Sequence, residues 1–327
     1  MQAWRIHTNG PAAEVYRLEE VESPAPGPQQ VRVKVLAAAV NFPDVLMAQG
    51  SYQVRPPFPY TPGVELCGEV LEVGSDLSGV AVGDRLVGTA EFPAGAFAQE
   101  ALMHGLLSQP APAALGDAQA AALHIGYQTG WFALHRRAEL RAGETLLVHA
   151  AAGGVGSAAV QLGKAAGATV IGVVGGTDKA KVAADLGCDV VLDRTTDDLI
   201  PAIKEATGGR GVDVVYDPVG GSAYEISTKV IAFEGRILVI GFASGKVPSP
   251  GLNHALIKNY SIVGLHWGLY NERDPAAVRA CAAELDRLAA AGAISPLVSQ
   301  RVGLERAAEA VTAVGEGVTT GRIVIVP

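Results

Sequence analysis

Residues 145–168 read TLLVHAAAGGVGSAAVQLGKAAGA, and this segment decides the fold. It starts with an apolar run, is interrupted by small residues, and continues with apolar positions at the 3.6-residue spacing of a helix. The pattern predicts a buried strand, a tight turn and a packed helix in direct succession.

The turn in this segment matches the dinucleotide fingerprint G-x-G-x-x-G, with Ala151 in place of the first glycine and Gly153 and Gly156 at the other two positions. Gly153 would let the backbone approach a pyrophosphate, and Gly156 would let the helix lie close to the strand. The helix N-terminus would offer free N–H groups and partial positive charge. Because further strand and helix patterns alternate after the turn, the sequence predicts an α/β domain with a doubly wound parallel sheet.

The next predicted strand bears on the choice between NAD and NADP. It ends in Gly175 and Gly176, without the Asp or Glu that accepts hydrogen bonds from the adenosine ribose in NAD enzymes. The first charged residues after it are Asp178 and Lys179. An ammonium near the ribose, with no carboxylate to repel a 2′-phosphate, favours NADP. The alternative is that Lys179 is a solvated residue in the first turn of a helix.

The composition narrows the class of protein. The 327 residues include 25 Lys and Arg against 33 Asp and Glu, and the net charge of −8 argues against nucleic-acid binding. Hydrophobic residues make up 49%, which allows a large core, and the length suggests about two domains. Three widely spaced cysteines argue against a disulfide framework. The N-terminal residues lack the pattern of a signal peptide, and glycines interrupt the longest uncharged stretch. We therefore expect a soluble, cytoplasmic protein that does not enter a membrane.

The pattern of predicted strands and helices changes twice along the chain. Residues 1–122 combine short strand patterns with Pro and Gly clusters, which is typical of an all-β barrel. A helical pattern at 118–140 leads into the alternating region, which extends to residue 266. Residues 267–327 do not extend the alternation, so we assign them to the first domain, which is then discontinuous. The strands predicted for the parallel sheet are 145–150, 169–174, 190–192, 212–217, 236–241 and 261–266.

Several further segments carry a family resemblance. They are NFPD at 41–44, GSY at 50–52, PGVE at 62–65, GEV at 68–70, VG at 73–74, VGDR at 82–85, AAAGGVG at 150–156, Lys179, DPVGG at 217–221 and TGRIV at 320–324. Over nearly the whole chain the sequence resembles the zinc-free quinone oxidoreductases, the zeta-crystallin-like branch of the medium-chain dehydrogenase/reductase superfamily. The resemblance implies a GroES-like catalytic domain at 1–122 completed by 267–327, a Rossmann NADPH-binding domain at 123–266, and an active site in the cleft between them. It also implies a dimer or tetramer built through the Rossmann sheets, and we expect the homodimer.

The same comparison bears on zinc. Zinc alcohol dehydrogenases of the superfamily bind catalytic zinc through a Cys in the segment matching residues 39–44 and a His in a Gly-His-Glu motif. Here the first segment has no Cys and the motif reads Gly63-Val64-Glu65. A catalytic zinc needs three protein ligands, of which two are missing, so we expect no zinc. Without a Lewis acid, a polarised acceptor suits hydride transfer better than an unactivated alcohol.

Three residues are candidates for catalysis because they lie in the segment that matches the catalytic segment of the relatives. Asn41 offers an amide to the nicotinamide ribose or to a substrate carbonyl, or else forms an Asx turn before Pro43. Asp44 is expected to orient its neighbours rather than to titrate. Tyr52 either donates a hydrogen bond or a proton to the product oxygen, or packs beside a Pro-rich loop.

Candidate cofactor contacts come from the fingerprint and from the resemblance. Thr129 matches a hydroxyl that faces the nicotinamide side in relatives, unless it bonds to its own helix backbone. Arg194 stands where relatives often carry a tyrosine against the adenosine phosphate, and its guanidinium either binds phosphate bidentately or is solvated. The expected contacts are Asn41, Thr129, Ala152, Gly153, Gly154, Val155, Gly175, Lys179, Arg194, Gly241, Phe242, Ser244 and Arg322.

Taken together, the sequence predicts an NADPH-dependent, zinc-independent quinone oxidoreductase that transfers hydride to a quinone or an activated α,β-unsaturated carbonyl. One alternative is an enoyl-thioester reductase, which would need a basic or roomy channel for a carrier. The other is a non-catalytic NADPH-binding protein, since the family includes lens crystallins and trafficking proteins.

Overall fold

The computed structural model describes all residues, 1–327, and the chain divides into two compact units. Unit 1 contains Met1–Ile125, Ala282–Ala290 and Ser295–Pro327, and unit 2 contains Gly126–Cys281 and Ala291–Ile294. Residues 267–281 lie within unit 2.

The first stretch of the chain is mostly strands. Its elements are β1 (Gln2–Ile6), α1 (Ala12–Val15), β2 (Tyr16–Glu20), β3 (Gln30–Ala39), α2 (Phe42–Ala48), β4 (Glu65–Val73), β5 (Arg85–Thr89), β6 (Glu100–His104), β7 (Gln109–Pro110), α3 (Asp117–Ala121) and α4 (His124–Trp131).

The middle stretch alternates strands and helices. Its elements are β8 (Thr145–His149), α5 (Gly154–Ala165), β9 (Thr169–Val174), α6 (Thr177–Asp185), β10 (Val190–Asp193), α7 (Leu199–Ala206), β11 (Val212–Asp217), α8 (Ser222–Val230), β12 (Ile231–Val239), α9 (Leu252–Lys258), β13 (Ser261–Gly264) and α10 (Leu269–Arg273). The last elements are α11 (Pro275–Ala290), β14 (Val298–Gly303), α12 (Ala307–Gly315) and β15 (Arg322–Val326).

Unit 1 is built on a seven-stranded sheet in the order β14-β15-β3-β4-β5-β7, with β6 also paired to β3. Side chains on β3 alternate between buried and less buried, with Val31, Val33 and Val35 in the core. This period of two is what a sheet with one face on a core requires. The antiparallel pairing of β15 with β3, which joins Val324 to Ala39, brings the last strand into the first sheet.

Unit 2 is built on a six-stranded parallel sheet in the order β10-β9-β8-β11-β12-β13. Every residue of β8 is buried, as expected for a central parallel strand covered on both faces. Ligands of such open sheets bind outside the carboxyl ends of the strands, so the loops that follow β8 to β12 position the candidate site.

The helical pattern at 118–140 is interrupted. Instead of one helix, the chain forms α3, then α4, and then a π-helical turn over Phe132–Arg137. Within unit 2, the Tyr270 ring packs against Phe132 in a tilted arrangement, with 4.2 Å between centroids, and Arg136 donates to Asp274. These contacts join Tyr270 and Asp274 to the π-helical turn.

Candidate functional site

The glycine turn after β8 has the close packing that the fingerprint requires. A Cβ atom on Gly156 would overlap the carbonyl oxygen of Ala150, so only glycine fits there without a shift. Gly153 precedes the first residue of α5, and Gly153, Gly154 and Val155 are partly exposed, whereas Ala152 is buried. The N-terminus of a 12-residue helix is thus open for an anion. Ala150 has φ +52, a left-handed conformation that disfavours a side chain and that sequence reasoning did not identify.

Two cations lie together at the carboxyl ends of β9 and β10. A Cβ atom on Gly175 would lie 2.9 to 3.1 Å from the Arg194 guanidinium, so the guanidinium lies against the glycine backbone. Lys179, in the first turn of α6, has a lowered pKa because of burial and because of the Arg194 charge. The structure therefore brings together Gly175, Lys179 and Arg194, which sequence reasoning had proposed separately.

Asp193 orders the loops at the carboxyl ends of β9 and β10 through hydrogen bonds. Its carboxylate accepts hydrogen bonds from the backbone N–H of Gly176 and Thr195, both at 2.9 Å, and from the Thr195 hydroxyl at 2.7 Å. These bonds lower the pKa of Asp193. Sequence reasoning missed this residue, although an acid at the end of a predicted parallel strand was the available signal. The Oδ1 atom of Asp193 thus ties Gly176 to Thr195 and orders the corner that carries Gly175 and Arg194.

The loops after β11 and β12 are joined by backbone hydrogen bonds. The Asp217 carboxylate accepts from Val219 N at 2.8 Å and from Gly220 N at 2.9 Å. In the other loop, Ala243 N donates to Pro218 O and Ser244 N to Val219 O, both at 3.0 Å. Three predicted cofactor contacts, Gly241, Phe242 and Ser244, lie on this second loop. Phe242 is 38% exposed, so its ring is available to a ligand.

Thr129 lies half-buried on α4, next to a buried pair of polar groups. The Trp267 indole N–H donates to the Gln128 side-chain oxygen at 3.1 Å. Sequence reasoning missed Gln128, although it is a polar residue directly before the predicted contact Thr129. His149, which lies in β8, shares a hydrogen bond of 2.9 Å with the Ser227 hydroxyl, and burial lowers its pKa. It is a satisfied core histidine.

In unit 1, Asn41 is at the centre of a buried network. Its amide nitrogen donates to Glu65 at 2.8 Å and to Ala39 O at 3.1 Å, and its side-chain oxygen accepts from Arg322 at 2.6 Å. Both amide N–H groups are thus engaged within the unit. Asn41 can accept one further hydrogen bond, but it can donate to a ligand only by releasing Glu65 or Ala39.

Glu65 links this network to the start of α4. It accepts from Ile125 N at 2.6 Å, and burial raises its pKa while the charge of Arg322 and the bond from Asn41 act in the opposite direction. Arg322 uses one terminal nitrogen for Asn41 and Val40 O. Its Nε and its other terminal nitrogen are buried and make no hydrogen bond within the protein. These two donors fit an anionic group.

Asp44 joins the start of α2 to the segment before β4. Its carboxyl group accepts from Asn41 N at 2.8 Å and from Val64 N at 3.1 Å. It therefore fixes the backbone of Asn41 and Val64 relative to α2. Burial, however, raises its pKa to about 7, against the effect of these backbone donors, so the group titrates near neutral pH.

Tyr52 is half-buried and packs against the core of unit 1. Burial and the charge of Asp44 raise the pKa of its phenol. Tyr16 and Tyr60, which sequence reasoning missed, also respond to Asp44, and their hydroxyls are buried. The structure thus places the three catalytic candidates Asn41, Asp44 and Tyr52 in one unit, with Asp44 in contact with the first and electrostatically coupled to the last.

Comparison with known proteins identifies the family. Residues 27–133 match the family described as "Alcohol dehydrogenase GroES-like domain", and residues 154–283 match "Zinc-binding dehydrogenase". Quinone oxidoreductase-like protein 2 of Mus musculus is 36% identical over 309 residues, which are 94% of this chain and 88% of that protein. The chain belongs to the quinone oxidoreductase branch of the medium-chain dehydrogenase/reductase superfamily. This confirms both the resemblance and the fold class.

Solved structures of quinone oxidoreductases and their relatives share the whole fold. The Escherichia coli quinone oxidoreductase complexed with NADPH is 31% identical, with a TM-score of 0.92 and 100% of both chains covered. A mycobacterial protein complexed with NADPH is 30% identical, with a TM-score of 0.93 and the same coverage. No helix of the present structure combines the length and apolar composition needed to cross a bilayer.

Proposed function

We propose that this quinone oxidoreductase family member uses NADPH to reduce a quinone or an activated α,β-unsaturated carbonyl, without zinc. The observation that carries the proposal is the Lys179 and Arg194 pair beside Gly175. Two neighbouring cations repel each other, and a dianionic 2′-phosphate between them would relieve that repulsion. The NADPH complexes of two structural relatives support the same choice of cofactor.

The remaining candidate cofactor contacts would bind different parts of NADPH. The exposed start of α5, with Gly153, Gly154 and Val155, presents N–H groups to a pyrophosphate, and Ala152 shapes the turn. The loop with Gly241, Phe242 and Ser244 and the Thr129 hydroxyl would contact the nicotinamide half. Arg322 has two buried donors left for an anionic group. When bound, the cofactor supplies the hydride.

The chain itself would supply orientation and a proton. The Tyr52 phenol donates to the oxygen on which negative charge develops, because it is the partly exposed tyrosine of the Asp44 cluster. Asn41 is held rigid by Glu65 and Arg322, and its remaining lone pair can accept a hydrogen bond from a ribose hydroxyl. Asp44 fixes the segment that carries Asn41.

The side chains of this segment do not fit a catalytic zinc. Val64 has no ligating atom, and the carboxylate of Glu65 is occupied by Asn41 and Ile125. No group of three or more His, Cys, Asp or Glu side chains is arranged to hold a metal. The quinone and enone acceptors need only hydrogen bonds to stabilise the developing charge, which is consistent with this set of side chains.

The test is NADPH oxidation after EDTA treatment with four acceptors: 9,10-phenanthrenequinone, 1,4-benzoquinone, a 2-alkenal and a crotonyl thioester. NADH serves as the control donor. We expect turnover with a quinone or the alkenal that survives chelation and prefers NADPH. Turnover with the thioester alone would favour the enoyl reductase, and silence with all four despite tight NADPH binding would favour a non-catalytic protein. Loss of activity on chelation, restored by zinc, would contradict zinc independence.

We also propose a cytoplasmic homodimer formed through unit 2. The edge strand β13 has one unpaired side, and α9 beside it exposes Leu252, Leu256 and Ile257. None of the three cysteines forms a disulfide, which is compatible with a reducing compartment. Light scattering after size exclusion should give twice the chain mass, and Leu256→Glu should shift it towards the monomer. A monomeric wild-type protein would contradict this proposal.

A further inference from the structure

The last residue of β10, Asp193, lies at the same sheet edge as the two cations of the proposed phosphate site. β10 and β9 are parallel neighbours, so their carboxyl ends are side by side. Three hydrogen bonds reach one carboxylate oxygen of Asp193, Oδ1, from Gly176 N, Thr195 N and the Thr195 hydroxyl. A single oxygen atom thus joins the loop after β9 to the loop after β10, which begins with Arg194.

The bond to Gly176 fixes a turn that side-chain packing does not hold. Gly176 has φ +99, a conformation that glycine adopts readily, and a Cβ atom at this position would meet no heavy atom within 4 Å. The residue stands directly before α6, which carries Lys179 in its first turn. The Asp193 carboxylate therefore fixes the backbone between the glycine contacted by Arg194 and the helix turn that carries Lys179.

The backbone of Asp193 is held from both sides. Its N–H donates to the Asp197 carboxylate at 2.8 Å, and its carbonyl oxygen accepts from Asp197 N at 2.8 Å. The next residue, Arg194, stays on the sheet because its N–H donates to Val174 O at 2.9 Å. The negative charge of Asp193 is therefore fixed in place and cannot swing away from the site when an anion binds.

The contacts also limit the distance between this carboxylate and the Arg194 guanidinium. Oδ1 is 2.9 Å from Gly176 N, and the guanidinium atoms are 2.9 to 3.1 Å from the position of a Cβ on the preceding Gly175. Standard bond lengths then bound the distance between Oδ1 and the guanidinium at about 10 Å. This is the Debye length in about 0.1 M salt, so the two charges influence the same bound ligand. Hydrogen bonds from Gly176 and Thr195, and also the Arg194 charge, lower the pKa of Asp193, so its carboxyl group is ionised at neutral pH.

A 2′-phosphate at this corner would experience two opposite effects of Asp193. The hydrogen bonds to Oδ1 order the segments that carry Lys179 and Arg194, which reduces the entropy lost on binding. The fixed negative charge repels a dianion held by the same cations. NADH has no 2′-phosphate, so the repulsion acts on NADPH alone.

We propose that Asp193 is a positioning residue that sets the preference for NADPH over NADH: its Oδ1 atom orders the phosphate site, and its charge limits the affinity of that site. The inference rests on the proposed binding of NADPH by Lys179 and Arg194. Two substitutions separate the effects. Asp193→Asn retains an acceptor oxygen for the three hydrogen bonds and removes the charge, whereas Asp193→Ala removes both.

The experiment is titration calorimetry of the wild type and both variants with NADPH, NADH, adenosine 2′,5′-bisphosphate and adenosine 5′-monophosphate. The two adenosine ligands differ only in the 2′-phosphate, so they test this corner without any turnover. Asp193→Asn should lower the Kd of NADPH and of the bisphosphate about two- to fivefold and leave the other two Kd values unchanged. This gain should shrink at high salt, which screens the charge. Asp193→Ala should bind the bisphosphate about tenfold more weakly than Asp193→Asn, because the two variants have the same charge and differ in the hydrogen bonds.

A matched control is Asp185→Asn, which removes the same charge from the far end of α6, where Asp185 forms an exposed ion pair with Lys181. It should leave all four Kd values unchanged. If Asp193→Ala does not fold, Asp193→Asn against the wild type still tests the repulsion. A Kd of the bisphosphate in Asp193→Asn that equals or exceeds the wild-type value would overturn the proposal, and so would equal Kd values in the Asn and Ala variants. If the wild type binds the bisphosphate no more tightly than the monophosphate, the proposed NADPH site itself fails, and this inference with it.

Discussion

The buried carboxyl group of Asp44 should make the stability of unit 1 depend on pH in an unusual direction. Its pKa is 3.8 as the ordinary value and about 7 in the folded protein, where the residue is 1% exposed. Between these values the folded chain holds a proton that the unfolded chain has lost, so the free energy of unfolding falls as pH rises. A difference of about 3 pH units corresponds to about 4 kcal/mol at most.

Other groups also change their protonation in this pH interval. The prediction therefore concerns the difference in unfolding free energy between Asp44→Asn and the wild type. Burial lowers the pKa of His124 to about 4 from 6.5, which makes stability rise with pH up to about 6.5. Asp44→Asn retains this histidine, so its effect cancels when the variant and the wild type are compared. We expect the variant to gain about 3–4 kcal/mol relative to the wild type between pH 4.5 and 7.5.

The assay is urea unfolding followed by the fluorescence of Trp4, which lies in the core of unit 1. The other two tryptophans, Trp131 and Trp267, are in unit 2, and both are replaced by Phe in the background used for the comparison. The asparagine loses one hydrogen-bond acceptor at every pH, which shifts the difference by a constant and does not affect its slope. A difference that stays constant within about 1 kcal/mol over this pH range would refute the reasoning.

Three further predictions concern other parts of the structure. Lys179→Ala should raise the Kd of NADPH about 10- to 100-fold and leave that of NADH nearly unchanged, by titration calorimetry, because a charge-assisted bond to phosphate contributes about 1.5–3 kcal/mol. Lys181→Ala, on the exposed face of the same helix, is the control, and equal weakening of both cofactors would remove the phosphate assignment. Glu65→Gln should destabilise unit 1 by about 1.5–3 kcal/mol in the Trp4 assay, because Arg322 loses its nearby carboxylate; unchanged stability would contradict a structural role. Gly156→Ala should lower stability by about 1–3 kcal/mol and weaken NADPH binding, because its Cβ would overlap backbone. Gly264→Ala, which meets no heavy atom within 4 Å, should do neither, and identical effects in both would contradict the packing argument.

The parallel sheet was predictable because apolar strand runs and glycine turns repeat along the sequence. The bounds of β9 and β11 equal those predicted from the sequence. In contrast, β12 begins at Ile231 rather than at the predicted residue 236. Ile231 follows α8 directly, so no turn residue marks the start of the strand. The helical pattern at 118–140 did not reveal the π-helical turn, because a change of hydrogen-bond register leaves the apolar spacing nearly intact.

The candidate site was predictable where it depends on local motifs. The glycine turn and Lys179 follow from sequence spacing alone. The contact of Arg194 with Gly175, the bond of Arg322 to Asn41, and the position of Tyr16 near Asp44 join distant segments, and no local pattern encodes them. The pKa of Asp44 was also beyond sequence reasoning, because it depends on burial. The domain boundaries and the individual site residues stay predictions.

The pairing of β15 with β3 has a consequence for synthesis on the ribosome. β3 emerges early, yet the strand that covers one of its edges is translated some 280 residues later, after the whole parallel sheet of unit 2. Unit 2 is thus nearly contiguous and can fold during translation, whereas unit 1 must wait with an open strand edge, the kind of surface that invites aggregation. A nascent chain stalled before Arg322 would lack both β15, the strand that pairs with β3, and the guanidinium that holds Asn41. Such chains should depend on chaperones that shield exposed strands.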